Sequence, residues 1–435
     1  MKKSREKLVV LSIDSLQSTD LEFLKMQPNF SSILSKCALV KNVREIYPTL
    51  TYPIHTTIIT GVAPDKHGIS HNQLPSITHE NPNWNIMGSD WNWYSDSVKA
   101  YSLMDAANDN GLNTASVMWP VMGGQKPKHN LAEIWPNSKE PFLETIKKSC
   151  TNDVVTDYFE KYLKSYDWQH KTDMDSYAID IATDMIIRHS PDLMLIHSTC
   201  LDHTRHVYGD ENEMVNKCLV RVDGIVGAIM NACKDAGTYE ETNFVFLGDH
   251  GHIDIDYMFN INVLFVKYGL IRVHDDKVLD YDAYSFSAGF STHIMLKNKE
   301  DDNMKEKVFS VLKEIKSTFP EYIERIFTAD EVSTEEGLTG EFSFVVEAMN
   351  GVLFSNDVTG DLIISSQSEN YSHYKGMHGH HPSKGKKPPF IVYGPAISQN
   401  ITIENGSMLD ECPTLARLLN VEMNNMDGVE FQIFS

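Results

Sequence analysis

Short runs of consecutive apolar residues, separated by longer stretches with helical spacing, set the rhythm of this chain. Residues 8–13, 191–197 and 243–247 each form such a run. A run of that length, apolar at nearly every position, predicts a strand buried on both faces, as in parallel sheets. Further strand signals lie at 37–43, 114–119 and 389–392. Between them, apolar periodicity predicts helices over 21–36, 99–110 (stopped by Gly111), 211–236 and 410–419, with 140–190 mostly helical. Alternating strands and helices predict an α/β fold with a mostly parallel central sheet flanked by helices. Between 269 and 371 the pattern changes: alternating segments at 290–296 and 342–347 flank an amphipathic helix over 303–318. This stretch reads as a small α+β insertion, leaving 1–268 and 372–435 as the core.

Polar residues gather where the apolar runs stop. Asp14 ends the first run, at the strand end where open α/β sheets carry their ligands. It is either a helix cap or a metal ligand. The second run leads into Asp202 and His206, four apart and so on one face of a helical turn. That spacing suits a metal ion and equally a surface pair. The third run ends in Gly248-Asp249-His250-Gly251-His252, where glycines let the backbone turn sharply and approach an ion closely. A His-rich loop at 375–382 contributes His378.

Thr51 stands between Pro48 and Pro53, which disfavour helix before them. From Ile54 the pattern suits a short helix closed by Gly61 and Pro64. A hydroxyl is thereby presented at a helix N-terminus, where unpaired N–H groups and the dipole favour an anion. Thr51 is the candidate nucleophile for attack on phosphorus; the alternative makes Thr51, Thr56 and Thr57 capping and turn residues. Asn72, in the polar loop 67–72, is either an amide donor to a phosphoryl oxygen or a turn residue. The stretch 73–98 carries Trp84, Trp91, Trp93 and Tyr94, which form either a stacking wall or local packing.

Composition narrows the partners. The 435 residues are 41% apolar, enough for one large core with an insertion, and carry a net charge of −22. That charge argues against a nucleic-acid polymer or an anionic membrane as partner. A small anionic substrate stays open, because bound metal ions can invert the local charge. The six cysteines are scattered without a CxxC pair, as buried free thiols would be. No run approaches the roughly 18 apolar residues of a membrane span. The charged N-terminus and the short run containing Asp14 make a poor signal peptide, so a cytoplasmic protein is expected. Monomer and homodimer are equally compatible with this surface.

Asp14, Thr51, Asp202, His206, Asp249, His250 and His378 together mix carboxylates with imidazoles, which suits zinc, with manganese or iron as lesser options. Seven ligands exceed one tetrahedral site and fit two. Two ions roughly 4 Å apart clamp the attacking and leaving oxygens of an in-line displacement at phosphorus. One ion would bind Thr51 and lower its pKa, and the other would hold the leaving oxygen. Asn72 and the helix N-terminus would donate to the phosphoryl oxygens.

Ile13-Asp14, the run from Pro48 to His55, Thr60-Gly61, His67-Gly68-Ile69, Asp202 with His206, Gly248-Asp249-His250-Gly251 and His378-Gly379 occur in an order that resembles the alkaline phosphatase superfamily. Within it, the resemblance is to the nucleotide pyrophosphatase/phosphodiesterase branch. It covers nearly the whole chain. It implies an alkaline-phosphatase-like core and one metal site of Asp14, Thr51, Asp249 and His250. It implies a second site of Asp202, His206 and His378, and Thr51 as the residue that becomes phosphorylated. It also implies Asn72 on a phosphoryl oxygen, Tyr52 against the substrate's leaving portion, and the insertion as a cap over the site. The implied substrate is a small phosphate ester, including nucleotides.

Four positions depart from the family pattern: Ser15 replaces the usual glycine, His197 stands where a substrate-stacking tyrosine is frequent, and His380 and His381 follow His-Gly. A phosphate monoesterase or a phosphonate hydrolase of the phosphonoacetate type would share this fold. A monoester, with its extra charge, would favour nearby cations, for which Lys99, Lys126, Lys128, Arg205 and Lys375 are candidates. A non-catalytic relative would lack a ligand or the nucleophile, and none is missing. Sulfatases of the superfamily need Cys or Ser where Thr51 stands.

Overall fold

The computed structural model describes residues 6–74, 91–124, 126–134, 142–164, 174–369 and 371–434. Trp84, one of the aromatic candidates, lies outside the described residues. Six strands enter the central sheet in chain order: β1 (Lys7–Ile13), β2 (Ala38–Arg44), β3 (Thr114–Val117), β4 (His129–Leu131), β5 (Leu193–Ser198) and β6 (Thr242–Leu247). Phe390–Tyr393 and Ile401–Ser407 complete eight. The order across the sheet runs from Ile401–Ser407 through β2, Phe390–Tyr393, β6, β1 and β5 to β3 and β4. Phe390–Tyr393 is antiparallel to both of its neighbours, and every other pairing is parallel.

The central strands β1, β5 and β6 are buried on both faces, which is why they read as nearly unbroken apolar runs, whereas β2 and the edge strand Ile401–Ser407 are partly exposed. Alternate side chains of β1 feed opposite layers: Val9, Leu11 and Ile13 join one hydrophobic cluster, Leu8 and Val10 the other. The first layer includes the helices Met174–His189 and Glu213–Asp235. The second includes Thr51–Thr60, Leu103–Asp109 and Glu411–Leu419.

Register decides where the strands end. Ser12 is level with His197 of β5 and with Leu247 of β6. Asp14, the turn after Ser198 and the Asp249–His250 pair therefore emerge at one edge of the sheet, at the centre of its width. Both glycines beside that pair are required by proximity rather than by positive φ. A Cβ on Gly248 would stand 2.1 Å from the Leu16 carbonyl oxygen, and one on Gly251 2.0 Å from that of Lys386.

Two expected boundaries move. The helix expected over 21–36 is two short ones, Leu21–Leu24 and Pro28–Leu34, because Pro28 cannot continue the first and is well suited to start the second. The helix expected from Ile54 begins at Thr51, since Pro53 falls in the first turn, where a missing N–H costs nothing.

The insertion contains a four-stranded antiparallel sheet, ordered Ala283–Ser287, Ser291–Leu296, Phe344–Ala348, Ile323–Thr328. The helix Asp302–Thr318 packs on it through Val308, Leu312 and Ile315. The same hydrophobic cluster draws in Phe259, Ile261, Leu264 and Phe265, so a boundary at 269 cuts through one packed unit. The six cysteines are free; Cys200 is half-buried and the other five are buried. Among the described residues no helix is long and apolar enough to cross a membrane.

Gly251→Ala must push the Lys386 backbone aside, and overpacking of this kind is expected to cost at least about 2 kcal/mol. A lowered midpoint of urea unfolding relative to the parent protein checks it.

Candidate functional site

Thr51 is the first residue of its helix, with Leu50 as the cap. Its Oγ1 lies 3.2 Å from His250 Nε2. Asp14 Oδ1 and Asp249 Oδ2 each lie 3.3 Å from the same nitrogen. Four donor atoms thus converge from β1, from the loop after β6 and from the helix. Ligands at about 2.0–2.1 Å from a tetrahedral zinc sit roughly 3.3 Å apart, so this set fits one ion. Asp14 Oδ1 and Asp249 Oδ2 are buried without a hydrogen-bond partner, as ligand oxygens awaiting a cation would be.

The electrostatics agree. Burial, then the charges of Asp202 and Asp249, hold the Asp14 carboxyl well above its ordinary range. Burial likewise raises Asp249, to about 6, although Asp249 Oδ1 accepts from the N–H groups of Ser15 and His250 at 2.9 Å each. A divalent cation would remove that penalty. Burial pushes His250 and His378 well below the usual imidazole value, so they are neutral, the form that can ligate a metal.

The second group forms around Asp202. On the helix Cys200–Tyr208, Asp202 Oδ2 lies 3.1 Å from His206 Nε2, one turn away. Asp202 Oδ1 lies 3.9 Å from His378 Nε2 and 2.8 Å from His252 Nε2. Asp202, His206, His252 and His378 offer ligand atoms all within 4.8 Å of one another. His206 Nδ1 donates to the Gly376 carbonyl and His378 Nδ1 to the Thr49 carbonyl, both at 2.8 Å. Each bond fixes the tautomer and leaves Nε2 for a metal. The two groups touch: the His250 and His378 rings stack with centroids 3.7 Å apart. Asp202 also lies close to Asp14 and His250.

A cavity of about 500 Å³ opens over both groups, lined by Asp14, Thr51, Asp202, His206 and His378 among others. Asn72 lines it too, and its Oδ1 accepts from the Tyr52 N–H at 2.9 Å. That bond fixes the amide, with its N–H₂ end turned away from the helix. It also takes one of the donors the helix N-terminus was expected to offer, and Pro53 has none to give. Tyr52 lines the cavity with its ring edge-on to Trp91, centroids 5.2 Å apart, and Trp91 stacks on Trp93. Burial, then the neighbouring Glu133, push the Tyr52 phenol well above its ordinary pKa.

Some expectations fail here. His197 does not line the cavity. It is buried behind Asp14, its Nε2 3.3 Å from Asp14 Oδ2 and its ring 4.4 Å from that of His55. The pleat of β5 turns it into the layer under the site. Among the described residues no part of 269–371 lines the cavity either. The insertion instead closes a flanking cavity of about 380 Å³ with Phe286, His293 and Phe342 around His71. Nor do Lys99, Lys126, Lys128, Arg205 or Lys375 line it. Arg205 is buried against Asp20 at 2.7 Å and Asp210 at 3.1 Å, and Lys126 pairs with Asp105.

The departures from the family pattern have local accounts. Ser15 adopts φ 62°, a left-handed conformation that glycine would reach without strain. His380 is buried with its Nδ1 3.1 Å from Thr49 Oγ1, and His381 Nε2 meets Glu336 at 3.0 Å, so both brace the loop that carries His378. Sequence reasoning passed over His252, although a second imidazole two residues after His250 was a signal. It also passed over Tyr374, which lines the cavity stacked on His206 at 4.6 Å, and Glu133, for which no motif spoke.

Comparison with known proteins gives this geometry a lineage. The family model for type I phosphodiesterase / nucleotide pyrophosphatase matches residues 8–388. An uncharacterised pyrophosphatase/phosphodiesterase of Schizosaccharomyces pombe is 24% identical over 59% of this chain and 48% of its own length. Human ectonucleotide pyrophosphatase/phosphodiesterase family member 1 is 26% identical over 51% of this chain and 20% of its own. Human bis(5′-adenosyl)-triphosphatase is 21% identical over 56% and 47% respectively. The matched segments thus span about half or less of these curated relatives. Murine ectonucleotide pyrophosphatase/phosphodiesterase 5, solved as an inactive variant with AMP, superposes with a TM-score of 0.67 at 16% identity, covering 97% of both chains. The fold is shared, and the chain belongs to the type I phosphodiesterase / nucleotide pyrophosphatase family.

Proposed function

We propose that this protein hydrolyses phosphodiester or phosphoanhydride bonds of small nucleotide-type substrates, with Thr51 as nucleophile. One observation carries the reading. The Thr51 hydroxyl stands at a helix N-terminus, on the wall of the cavity and 3.2 Å from His250 Nε2, with candidate ligands on either side. Two divalent cations, zinc by the chemistry of the donors, would acidify that hydroxyl and offset charge on the phosphoryl and leaving oxygens. Asp14, Asp249, His250 and Thr51 would hold one ion, and Asp202, His206 and His378 the other.

The steps follow from the chain's own groups. Thr51 Oγ1 gives up its proton, which passes through solvent to the leaving group, and attacks phosphorus in line as the bond to the leaving oxygen breaks, giving a covalent phospho-Thr51 ester that keeps the substrate's other substituent. Water then attacks that phosphorus from the vacated side and restores the hydroxyl. The Asn72 N–H₂ donates to a phosphoryl oxygen, a contact that strengthens as charge builds there. Tyr52, Trp91 and Tyr374 give the cavity apolar surfaces suited to a base or ring. The AMP held by the murine relative and the dinucleotide named for the human one point to nucleotides.

The five cations named as candidates for a monoester do not line the cavity. The cations that do line it, Lys217 and Arg221, sit on the helix Glu213–Asp235, where Lys217 also pairs with Glu213 at 2.8 Å. The insertion is proposed as a flanking support of the Asn72 loop rather than a roof over the metals.

Turnover of three nitrophenyl esters by zinc-loaded protein tests the reading: a nucleoside 5′-monophosphate ester, bis-nitrophenyl phosphate and nitrophenyl phosphate. The nucleotide diester is expected to be preferred, and a preference for the monoester would overturn this assignment. Thr51→Ala should lower kcat by on the order of a thousand-fold or more with an unchanged circular dichroism spectrum. Asn72→Ala should lower kcat by about 10²-fold, in the range seen for loss of one oxyanion donor. Dialysis against a chelator should abolish turnover, and added zinc should restore it.

A further inference from the structure

His252 has no place in the ligand sets above, yet it faces the same point as three residues that do. Its Nε2 lies 2.8 Å from Asp202 Oδ1, and its ring is fully enclosed, 2% exposed. The ring centroids of His206, His252 and His378 form a triangle with sides of 4.7, 5.4 and 5.4 Å. Imidazoles bound through Nε2 at about 2.0–2.1 Å to one tetrahedral ion have centroids roughly 5 Å apart. The three rings are therefore spaced as ligands of a shared ion, with Asp202 at the fourth corner.

We propose that His252 is a fourth protein ligand of the Asp202–His206–His378 site. The inference rests on reading that site as a metal site. Its consequence is an asymmetry between the two ions. The Thr51 site holds two carboxylates, Asp14 and Asp249, whereas this one holds a single carboxylate and three neutral imidazoles. A neutral imidazole would tighten binding without cancelling positive charge, so an ion held here would have more of its charge left to offset that of a bound oxygen. A nitrogen-rich set also favours zinc over manganese. Four protein ligands would fill a tetrahedral shell, so these residues would hold the ion firmly.

The test separates a ligand from a hydrogen-bond donor to Asp202. His252→Gln keeps an N–H for Asp202 but is a poor zinc ligand, while His252→Leu removes both. Zinc retention is measured by competition with a chromophoric chelator. Loss of an outer-shell partner alone costs about 10–100-fold, which His252→Leu would show on either reading; His252→Gln, which keeps that partner, should nevertheless hold one of the two zinc ions more weakly, with zinc-over-manganese selectivity reduced at that site. Retention in His252→Gln equal to that of the parent overturns the proposal and leaves His252 a donor. His378→Ala separates the two readings. If it too keeps both ions, the metal-site assignment itself fails; if it loses one while His252→Gln loses none, only this inference fails. A crystal structure of the zinc-loaded parent protein needs no variant to fold: His252 Nε2 at about 2.0–2.1 Å from the ion supports the proposal, and a non-bonded separation overturns it.

Discussion

Buried negative charge at the centre of one sheet edge is the constraint around which this molecule is arranged. Asp14 and Asp249 are enclosed, and Asp202 lies close beside them. Their mutual repulsion and loss of water raise Asp14 and Asp249. Asp202 is also opposed by burial, but His206 and His252 pull it well below the ordinary range. Such a cluster persists when cations or protons neutralise it. The sheet creates the problem and supplies the means, because strands in register deliver carboxylates and imidazoles to the same place.

The surroundings are built to hold these groups still. His55 donates Nδ1–H to the Thr51 carbonyl at 2.7 Å and so accepts from Ser12 at Nε2, tying the helix that begins at Thr51 to β1. Ser15 accepts a strained φ and gives its N–H to Asp249. His380 and Thr49 clasp the loop that presents His378. These contacts are buried and mostly neutral, which suits a site whose geometry must not relax between substrate and transition state.

The walls of the cavity are formed by a different set of residues. The metal-facing part of the cavity is charged, while its walls are aromatic or thiol-bearing, with Tyr52, Trp91, Tyr374, Cys200 and Cys218. A substrate with a phosphoryl centre and a flat apolar portion matches both halves. Among the described residues neither His197 nor the insertion lines this cavity, whose walls come from the strand ends and the loops and helices that flank them.

That polar groups would gather at the ends of the buried strands was legible in the sequence. A strand buried on both faces must be apolar throughout, so the first polar residue after it, Asp14 or Asp249, announces the sheet edge. Asp202 and His206 declare themselves because a helix places residues four apart on one face. Local rules could also have shown that Pro53 and Pro28 belong in first turns. What the sequence could not carry is distance between segments far apart in the chain. His252 meets Asp202 across 50 positions, and Tyr374 stacks on a histidine of another element. His197 was misplaced because the pleat of β5, set by pairing with Ser12, turns it away from the cavity. Sequence by itself determined which groups could do the chemistry and at which strand ends they stand; only the tertiary structure, through register and the direction of each side chain, decided which of them meet.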